Sequence, residues 1–332
     1  MTYSAAETPN EPEPLSSRSG MQPEPGSPHV WILLCTYNGE RFLAEQLESL
    51  RRQSHSNWSL AVSDDGSTDR TLERVEQFGK GIPGNRLMVI SGQQRGFAAN
   101  FLALTAQPDL KADFYAWADQ DDIWPPDKLA IALDWLKAIP KHVPALFCAR
   151  SELIDETGSH LGFSPLFQHP PHFSNALVQS IAGGNTMVFN QAARELIKEA
   201  GGNVKVPSHD WWAYLLISGA GGAVHYDPVP AVQYRQHAGN LVGSNASWTA
   251  RLKRMRMVFQ GRFNDWNTRH IRALEAVAHC LEPENKARLD DFKATRNPRL
   301  LSRLASARRA GLHRQTLLQN FGLFLVILFK KI

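Results

Sequence analysis

Short apolar runs alternate along the first half of the chain with segments whose apolar residues recur at helical spacing. A short apolar run bounded by turn residues indicates a buried strand, and a spacing of three to four residues indicates one face of a helix. The runs predict strands over residues 30–35, 58–63, 87–91 and 114–118. The periodic segments predict helices over residues 41–52, 69–78, 96–106 and 125–139. This alternation indicates an α/β fold, a mostly parallel sheet with helices on both faces.

The pattern becomes less regular after the predicted strand at residues 145–150. Residues 160–175, rich in Pro, His and Phe, predict a long loop. The remaining apolar runs predict strands over residues 145–150, 186–190, 224–226 and 232–234. Helical spacing predicts helices over residues 191–200 and 211–218, and from Trp248 onward the pattern is helical without strand signals.

Polar clusters follow three of the predicted strands, at the point where each strand ends. They occupy residues 36–38, 64–67 and 119–122. Ligands of open parallel sheets bind beyond the carboxyl ends of the strands. We therefore expect the three clusters to meet at one edge of the sheet.

The most acidic cluster contains Asp119, Asp121 and Asp122. Carboxylates packed this closely repel one another unless a cation or a proton compensates their charge. Oxygen ligands of this kind suit Mg²⁺ or Mn²⁺, and such an ion neutralises charge on a phosphate leaving group. The alternative is an acidic loop at the N-terminus of the next helix. The position directly after a buried strand favours the metal site.

The other two clusters have both a nucleotide-binding interpretation and a turn interpretation. The ring of Tyr37, between Thr36 and Asn38, can stack on a base, although Asn38-Gly39 is also an ordinary strand-end turn. One carboxylate of the pair Asp64 and Asp65 can accept a hydrogen bond from a pyrimidine or a ribose hydroxyl, although Asp-Gly also favours a turn.

Further candidates lie in the second half of the chain. Asp210 opens an apolar helix, where it is either a helix cap or a general base for an acceptor hydroxyl. Trp211 beside it is either a platform for a sugar face or part of the core. Arg235 can pair with a diphosphate, and His237 can bind a metal or a phosphate oxygen or be a purely structural histidine. Gly183-Gly184-Asn185 is either a sugar-binding loop or an ordinary turn.

Charge is distributed unevenly along the chain. The formal net charge is +4, yet residues 246–332 contain 18 Lys/Arg and 6 Asp/Glu, a balance of +12. This region predicts contact with a membrane or a nucleic acid, or else a solvated helix face. No nucleic-acid motif accompanies the charge, which favours the membrane. The apolar run 321–329 is too short to span a bilayer; it either enters the interface or packs on the protein.

Neither an oxidising compartment nor a membrane span is indicated. The three cysteines lie far apart and suggest no disulfide framework, which favours a reducing cytosol. Residues 1–28 lack the apolar segment of a signal peptide and predict a disordered leader. The chain has no run of about 18 apolar residues that would predict a transmembrane helix. We therefore expect a cytoplasmic protein, peripheral at the inner face of the cell membrane.

Taken together, the order and spacing of the clusters resemble the inverting family 2 glycosyltransferases of GT-A fold, and most closely a bacterial rhamnosyltransferase-like branch. The resemblance spans about residues 29–243. It is carried by the segments CTYNGERFLAEQLESLRRQS, VSDDGSTDRT, WADQDDIWPPDKL, GGNTMVFNQAA, SHDWWAYLLISGAGG and YRQHAGNLVG. It implies a GT-A domain over residues 29–245, whereas the helical basic region over residues 246–332 lies outside the family pattern.

The resemblance also implies a role for each matching residue. Tyr37 and Asp65 would contact the nucleotide base, with Thr36 nearby. Asp119 and Asp121 would form the DxD pair, with Asp121 the favoured metal ligand and Asp122 in support. Asp210 would be the catalytic base, and His237 would lie near the metal or the diphosphate. Gly184 and Asn185 would line the acceptor side.

The reaction implied is a single displacement that inverts the anomeric centre. A β-linked dTDP-L-rhamnose donor would yield an α-rhamnoside on a saccharide or lipid-linked glycan, in cell-surface polysaccharide synthesis. Two alternatives remain: a sugar nucleotidyltransferase and a non-catalytic saccharide-binding protein. The first is disfavoured because no Gly-rich phosphate loop follows the first strand. The second is disfavoured because the acidic residues Asp65, Asp119, Asp121 and Asp210 are all present.

Overall fold

The computed structural model describes residues 26–83, 86–237 and 262–332. Its centre is an eight-stranded sheet. In chain order the strands are β1 (Val30–Thr36), β2 (Trp58–Asp64), β3 (Leu87–Ser91), β4 (Phe114–Ala118), β5 (Ala145–Ile154), β6 (His160–Phe163), β7 (Val188–Asn190) and β8 (Ala223–Arg235).

The strands follow the order β3-β2-β1-β4-β7-β5-β6 across the sheet, and β8 pairs with β5. The neighbours from β3 to β4 are parallel, as are β5 and β8. β7 runs antiparallel to β4 and β5, and β6 runs antiparallel to β5. This mostly parallel sheet confirms the predicted fold class.

Helices cover both faces of the sheet. They are α1 (Glu40–Arg51), α2 (Thr71–Gly79), α3 (Phe97–Thr105), α4 (Lys128–Leu136), α5 (Phe173–Ala176), α6 (Gln191–Glu199), α7 (His209–Gly219), α8 (Arg262–Ala276), α9 (Pro283–Ala294), α10 (Leu300–Arg309) and α11 (Leu317–Leu328). Short 3₁₀ turns lie at Gly184–Thr186 and Ala278–Cys280.

Alternate side chains of β1 point to opposite faces of the sheet and enter two hydrophobic clusters. Trp31 and Leu33 pack with α3, α6 and α7. Ile32 and Leu34 pack with α1, α2 and α4. Because both faces are covered, β1 reads as a continuous apolar run in the sequence rather than as an alternating one.

β8 is one continuous strand, although the sequence predicted two short ones. The prolines at 228 and 230 break the apolar pattern, since proline has no N–H for a sheet ladder. The pairing with β5 skips from Asp227, opposite Ala149, to Pro230, opposite Arg150. This bulge leaves Pro228 outside the ladder, so the strand continues past it.

The segment 160–175 is more ordered than the predicted loop. It contains β6 and the start of α5. The backbone N–H of Ser174 donates to the His172 ring at 3.1 Å, and this contact caps α5. A histidine cap is uncommon, which is why the start of this helix carried no recognisable signal.

The C-terminal helices pack on the sheet face that carries α7. Phe263, Leu289 and Leu323 belong to the same hydrophobic cluster as Trp212 of α7. In the described part of the chain, no helix is both long and apolar enough to cross a membrane. The predicted helical pattern from Trp248 to residue 261, the domain boundary at 245, and the leader up to residue 25 lie outside the described residues.

Candidate active site

The three polar clusters meet at one edge of the sheet, as predicted from the parallel strands. β1 lies between β2 and β4, with Thr36 opposite Asp64 and Leu34 opposite Ala118. The loops that leave these strands therefore begin side by side.

Hydrogen bonds tie the loop after β1 to the loop after β2. The Thr36 hydroxyl donates to Asp64 Oδ1 at 2.8 Å. The Asn38 N–H donates to Ser67 Oγ at 2.9 Å, and Asn38 Oδ1 accepts from the N–H of Thr68 at 2.8 Å. Asn38 adopts a φ of 46°, a region that asparagine tolerates better than most residues. Thr36 and Asn38 thus fix the loop.

Tyr37 projects from this fixed loop. Its side chain is 59% exposed, while Gln120 holds its backbone on both sides. Gln120 Oε1 accepts from the Tyr37 N–H at 2.8 Å, and Gln120 Nε2 donates to the Tyr37 carbonyl at 3.1 Å. The middle residue of the DQD segment therefore positions an exposed aromatic ring beside the acidic cluster.

Asp65 is held by the chain that follows β3. Its Oδ1 accepts from the N–H of Gln94 at 2.6 Å. A Cβ at Gly92 would lie 2.6 Å from the same oxygen, so only glycine allows this close approach. The other oxygen, Asp65 Oδ2, makes no hydrogen bond within the described residues and remains able to accept one.

Carboxylates from separate parts of the chain face one another at this edge. Burial, followed by the charges of Asp121 and Asp210, raises the pKa of Asp119 to about 7. Burial first, and then the charges of Asp119 and Asp65, raise the pKa of the Cys35 thiol near the end of β1. Asp121 and Asp210 thus act electrostatically on Asp119, and Asp119 and Asp65 act on Cys35, so the four acidic candidates share one electrostatic environment.

A buried lysine lies beneath the acidic cluster. The ammonium of Lys128 donates to the carbonyl of Asn185 and lies 3.4 Å from the centre of the Trp124 ring. Burial lowers the pKa of Lys128, and the charges of Asp122 and Asp119 oppose that shift. Lys128 thus places its side-chain amino group directly behind the DxD loop.

Asp122 is completely buried and acts inside the protein. Its Oδ2 accepts from Asn185 Nδ2 at 2.5 Å, and its Oδ1 accepts from the backbone N–H of Arg235 at 3.2 Å. Burial, and then Asp121 and Asp119, raise its pKa well above the ordinary value. Asp122 therefore joins the DxD loop to the strands behind it.

Arg235, which was expected to contact a diphosphate, makes its hydrogen bonds within the protein. Its side chain is 1% exposed. It donates to the carbonyls of Asp121 at 3.0 Å and Glu156 at 2.9 Å, and to Glu45 Oε2 at 2.6 Å. The guanidinium also lies 4.7 Å from the centre of the Phe42 ring. Because its donors face the protein, Arg235 positions the DxD loop from behind.

His237 lies directly against the DxD loop. Its Nε2 is 2.8 Å from Asp121 Oδ2, and its ring packs on Phe42 with centroids 5.0 Å apart. Phe42 of α1 therefore contacts both Arg235 and His237. The structure brings His237 and Asp121 together as the sequence predicted.

Asp210 is placed by its buried neighbour His209. The His209 ring stacks on Phe101 at 4.0 Å and meets Trp117 edge-on at 4.7 Å. Burial lowers the pKa of His209 to about 4, so the ring is neutral at pH 7. The buried ring, called here the His209 wedge, fixes the first turn of α7. In that turn Asp210 Oδ1 accepts from the N–H of Trp211 at 2.6 Å.

The three residues assigned to the acceptor side are buried and act within the protein. Trp211 is core: its Nε1 donates to the Ala176 carbonyl at 2.6 Å. Asn185 is committed to Asp122. A Cβ at Gly184 would overlap the ring of His209, so this glycine makes room for the wedge. These contacts are internal to the protein, and the assignment of these three residues to the acceptor side stays a prediction.

The donor set at this edge fits a hard divalent cation. Asp121 offers a carboxylate, the ligand that Mg²⁺ and Mn²⁺ prefer, and the imidazole of His237 lies next to it. The raised pKa of Asp119 also indicates excess negative charge that a cation would relieve. Within the described residues, ligand atoms of Asp119, Asp121 and His237 do not all lie within 4.8 Å of one another, so Asp121 and His237 form the nucleus of the site.

Four positioning residues were missed from the sequence: Gln120, Lys128, His209 and Phe42. Gln120 lies between the two aspartates of the DxD segment, and this position could have identified it as a site residue. Lys128 and Phe42 occupy helical positions typical of a surface charge and of a core residue. Their roles depend on contacts with residues remote in the sequence, which no local pattern reveals.

The chain is similar in sequence to a known protein family and to individual bacterial proteins. The model of the family described as glycosyl transferase family 2 matches residues 31–196. The chain is 30% identical over 233 residues to the dTDP-rhamnosyl transferase RfbG of Shigella flexneri, covering 68% of this chain and 78% of that protein. It is 30% identical over 107 residues to the Escherichia coli UDP-Glc:alpha-D-GlcNAc-diphosphoundecaprenol beta-1,3-glucosyltransferase WfgD, covering 32% of this chain and 40% of that protein.

Solved structures share the fold at low sequence identity. S. aureus TarS 1-349 aligns with a TM-score of 0.52 at 15% identity, over 85% of this chain and 89% of that one. The mannosyltransferase PcManGT from Pyrobaculum calidifontis, in complex with GDP-Man and Mn²⁺, aligns with a TM-score of 0.51 at 19% identity, over 94% and 85%. These likenesses confirm the GT-A fold predicted from the motifs.

Proposed function

Because this chain belongs to glycosyl transferase family 2, we propose that it is a metal-dependent, inverting enzyme of polysaccharide synthesis. It moves a sugar from a nucleoside diphosphate to a hydroxyl of a saccharide or lipid-linked glycan. The observation that carries the proposal is the electrostatic contact of Asp119 with both Asp121 and Asp210. It supports a candidate base close to the candidate diphosphate site.

Asp210 is the proposed base. As the acceptor oxygen attacks the anomeric carbon, its O–H proton passes to the Asp210 carboxylate. The bond from the anomeric carbon to the phosphate oxygen breaks, and the nucleoside diphosphate leaves with the electron pair. Oδ1 already accepts from the N–H of Trp211, so Oδ2 is the oxygen we assign to the proton. The rigid His209 wedge supports this role because it fixes the orientation of the carboxylate.

Tyr37 and Asp65 are the proposed contacts of the donor base. The exposed Tyr37 ring offers a flat surface for stacking. Asp65, held through Oδ1, keeps Oδ2 for a base N–H or a ribose hydroxyl. Thr36 and Asn38 act indirectly, by fixing the loop that presents Tyr37.

Asp121 and His237 would hold a Mg²⁺ or Mn²⁺ ion, with Asp119 as the further carboxylate for the ion or the donor ribose. Such an ion supplies positive charge that stabilises the departing diphosphate. The chain contributes the fixed position of these ligands. Arg235 and Asp122 support the DxD loop from behind, and Lys128 anchors the Asn185 carbonyl behind the same loop.

Rhamnose from dTDP-L-rhamnose is the donor we propose, in line with the relative from Shigella flexneri and with the motif order from Tyr37 to His237. Inversion of a β-linked donor would give an α-rhamnoside. The acceptor class is supported by the Escherichia coli relative, whose name specifies a diphosphoundecaprenol-linked substrate.

We also propose that the catalytic domain spans residues 29–245 and works in the cytoplasm at the inner face of the cell membrane. The excess positive charge of residues 246–332 supports contact with an anionic surface.

A donor screen tests the proposal. Purified protein is mixed with a panel of nucleotide sugars, each with Mg²⁺, Mn²⁺ or a chelator, and nucleoside diphosphate release is measured with and without a glycan acceptor. We expect release from dTDP-L-rhamnose that depends on the metal. Release from a different donor would reject rhamnose alone. No release from any donor with any metal would reject the transferase assignment.

A further inference from the structure

We propose that the outer face of α11 and its basic flanks form the surface by which this protein lies on a membrane of anionic lipid. The α11 surface consists of Leu317, Leu318, Phe321, Phe324 and Phe329. The inference rests on the proposed function for its purpose, which is access to a lipid-linked acceptor. Its evidence is independent of that function.

α11 is apolar on two sides, and the described residues cover only one of them. Leu323 and Ile327, one turn apart, are buried in the hydrophobic cluster. Leu317 is 90% exposed and Phe321 is 59% exposed, and with Phe324 they recur at the spacing of one helical stripe. No Asp, Glu, Lys or Arg occurs between Leu317 and Phe329. A stripe of large apolar side chains facing water marks an interaction site.

The dimensions of α11 favour a helix lying flat on a membrane. Its 12 residues extend about 18 Å, whereas the hydrocarbon core of a bilayer is about 30 Å thick. An apolar face of this size can enter the boundary between head groups and acyl chains while the other face remains on the protein.

The charge around the α11 surface matches anionic head groups. Residues 296–332 contain eight Lys/Arg and no Asp or Glu. Arg299, Arg308 and Lys330 are exposed. Arg309, by contrast, pairs with Asp291 at 2.7 Å. Basic residues beside an exposed apolar stripe favour anionic lipid over an uncharged protein partner.

The basic and apolar side chains adjoin at one end of the helix. Arg303 in the first turn of α10 donates to the carbonyl of Leu328, the last residue of α11, at 3.0 Å. The first turn of α10 therefore lies beside the last turn of α11. Leu301, 81% exposed, belongs to that first turn, and Lys330 follows α11 directly.

The α11 surface is connected to the candidate active site through the core. Leu323 and Ile327 of α11 belong to the same hydrophobic cluster as Trp211 and Trp212 of α7. The first turn of α7 carries Asp210. A membrane bound at α11 would thus hold the catalytic domain at a defined distance from a lipid-linked acceptor.

Vesicle co-sedimentation of the full chain, without donor or acceptor, tests the surface. The apolar variant is Leu317→Gln/Phe321→Gln/Phe324→Gln, and its matched control is Leu161→Gln/Leu166→Gln/Val229→Gln, which changes exposed apolar residues elsewhere. The basic variant is Arg299→Gln/Arg308→Gln/Lys330→Gln, and its control is Lys111→Gln/Lys137→Gln/Lys141→Gln, which removes three exposed charges elsewhere.

We expect the wild-type protein to bind phosphatidylglycerol-containing vesicles much more tightly than phosphatidylcholine vesicles. The apolar variant should lose about tenfold in partitioning per side chain, and the basic variant about fivefold per charge at low salt. Both controls should bind like the wild type. Metal-dependent donor turnover measured without vesicles should be unchanged in all four variants.

Three results would overturn the proposal. The first is a wild-type protein that fails to bind anionic vesicles, and the second is an apolar variant that binds as well as its control. The third is an apolar variant that changes from a dimer to a monomer in light scattering while it retains vesicle binding, which would make α11 a subunit interface. Because donor turnover is measured separately, failure of the membrane proposal is distinguishable from failure of the transferase proposal.

Discussion

Replacing Arg235 with Lys tests whether this residue supports the DxD loop or binds the donor. The guanidinium donates to three acceptors on three segments: Asp121, Glu156 and Glu45. A lysine ammonium keeps the charge but cannot reach all three in the same geometry. Losing one or two hydrogen bonds of a buried charged group costs about 2–4 kcal/mol. For a chain of 332 residues, that lowers Tm by about 3–6 °C.

The structural account predicts a specific combination of results for Arg235→Lys. Thermal unfolding should show the lower Tm, and kinetics should show a reduced kcat with weaker metal activation, because the DxD loop loses its support. The control is Arg194→Lys. Arg194 is a second buried arginine that lies away from the site and donates to the Thr105 carbonyl at 3.0 Å. This variant should lose comparable stability and keep its metal dependence. An unchanged Tm with a donor KM raised tenfold or more would instead identify Arg235 as a diphosphate ligand and exclude its role as a support of the DxD loop.

Three further predictions address the acidic cluster and its support. Asp121→Ala should abolish metal-dependent transfer while the circular dichroism spectrum stays native; unchanged turnover would reject the metal assignment. The Asp119 pKa of about 7 exceeds its ordinary value of 3.8, so the metal-free protein should lose stability as pH rises toward 7, and metal affinity in calorimetry should weaken about tenfold per pH unit below 7. Gly184→Ala would push the His209 ring aside, so it should lower the free energy of unfolding by about 1–3 kcal/mol and lower kcat. The control Gly322→Ala, whose added Cβ meets no neighbour, should change neither quantity in this way.

The fold was predictable because its signals are local. Each parallel strand, such as β1, is a continuous apolar run, and each run is followed by a helical stripe. The rule that ligands bind at the carboxyl ends of strands then brought Asp65 and Asp121 together without any knowledge of contacts. The prolines in β8 concealed its continuity, because a bulge can remove a proline from the ladder without any mark in the sequence.

The direction in which side chains point was not predictable to the same degree. Arg235 and Asn185 stand in motifs where a ligand contact is plausible, yet both are buried and turn toward the protein. Whether such a residue faces the ligand or its neighbours depends on packing against α1 and β4, which are remote in the sequence. The acidic residues were easier to interpret, since their mutual repulsion requires an external cation or proton wherever they lie.

The central claim is that Asp210 removes a proton from an acceptor hydroxyl beside a metal-bound diphosphate. The most direct measurement compares wild type and Asp210→Asn for donor affinity by calorimetry and for transfer to acceptor, both with Mn²⁺. We predict equal donor affinity and a loss of transfer of about 100-fold or more. Transfer at the wild-type rate by Asp210→Asn would contradict the account.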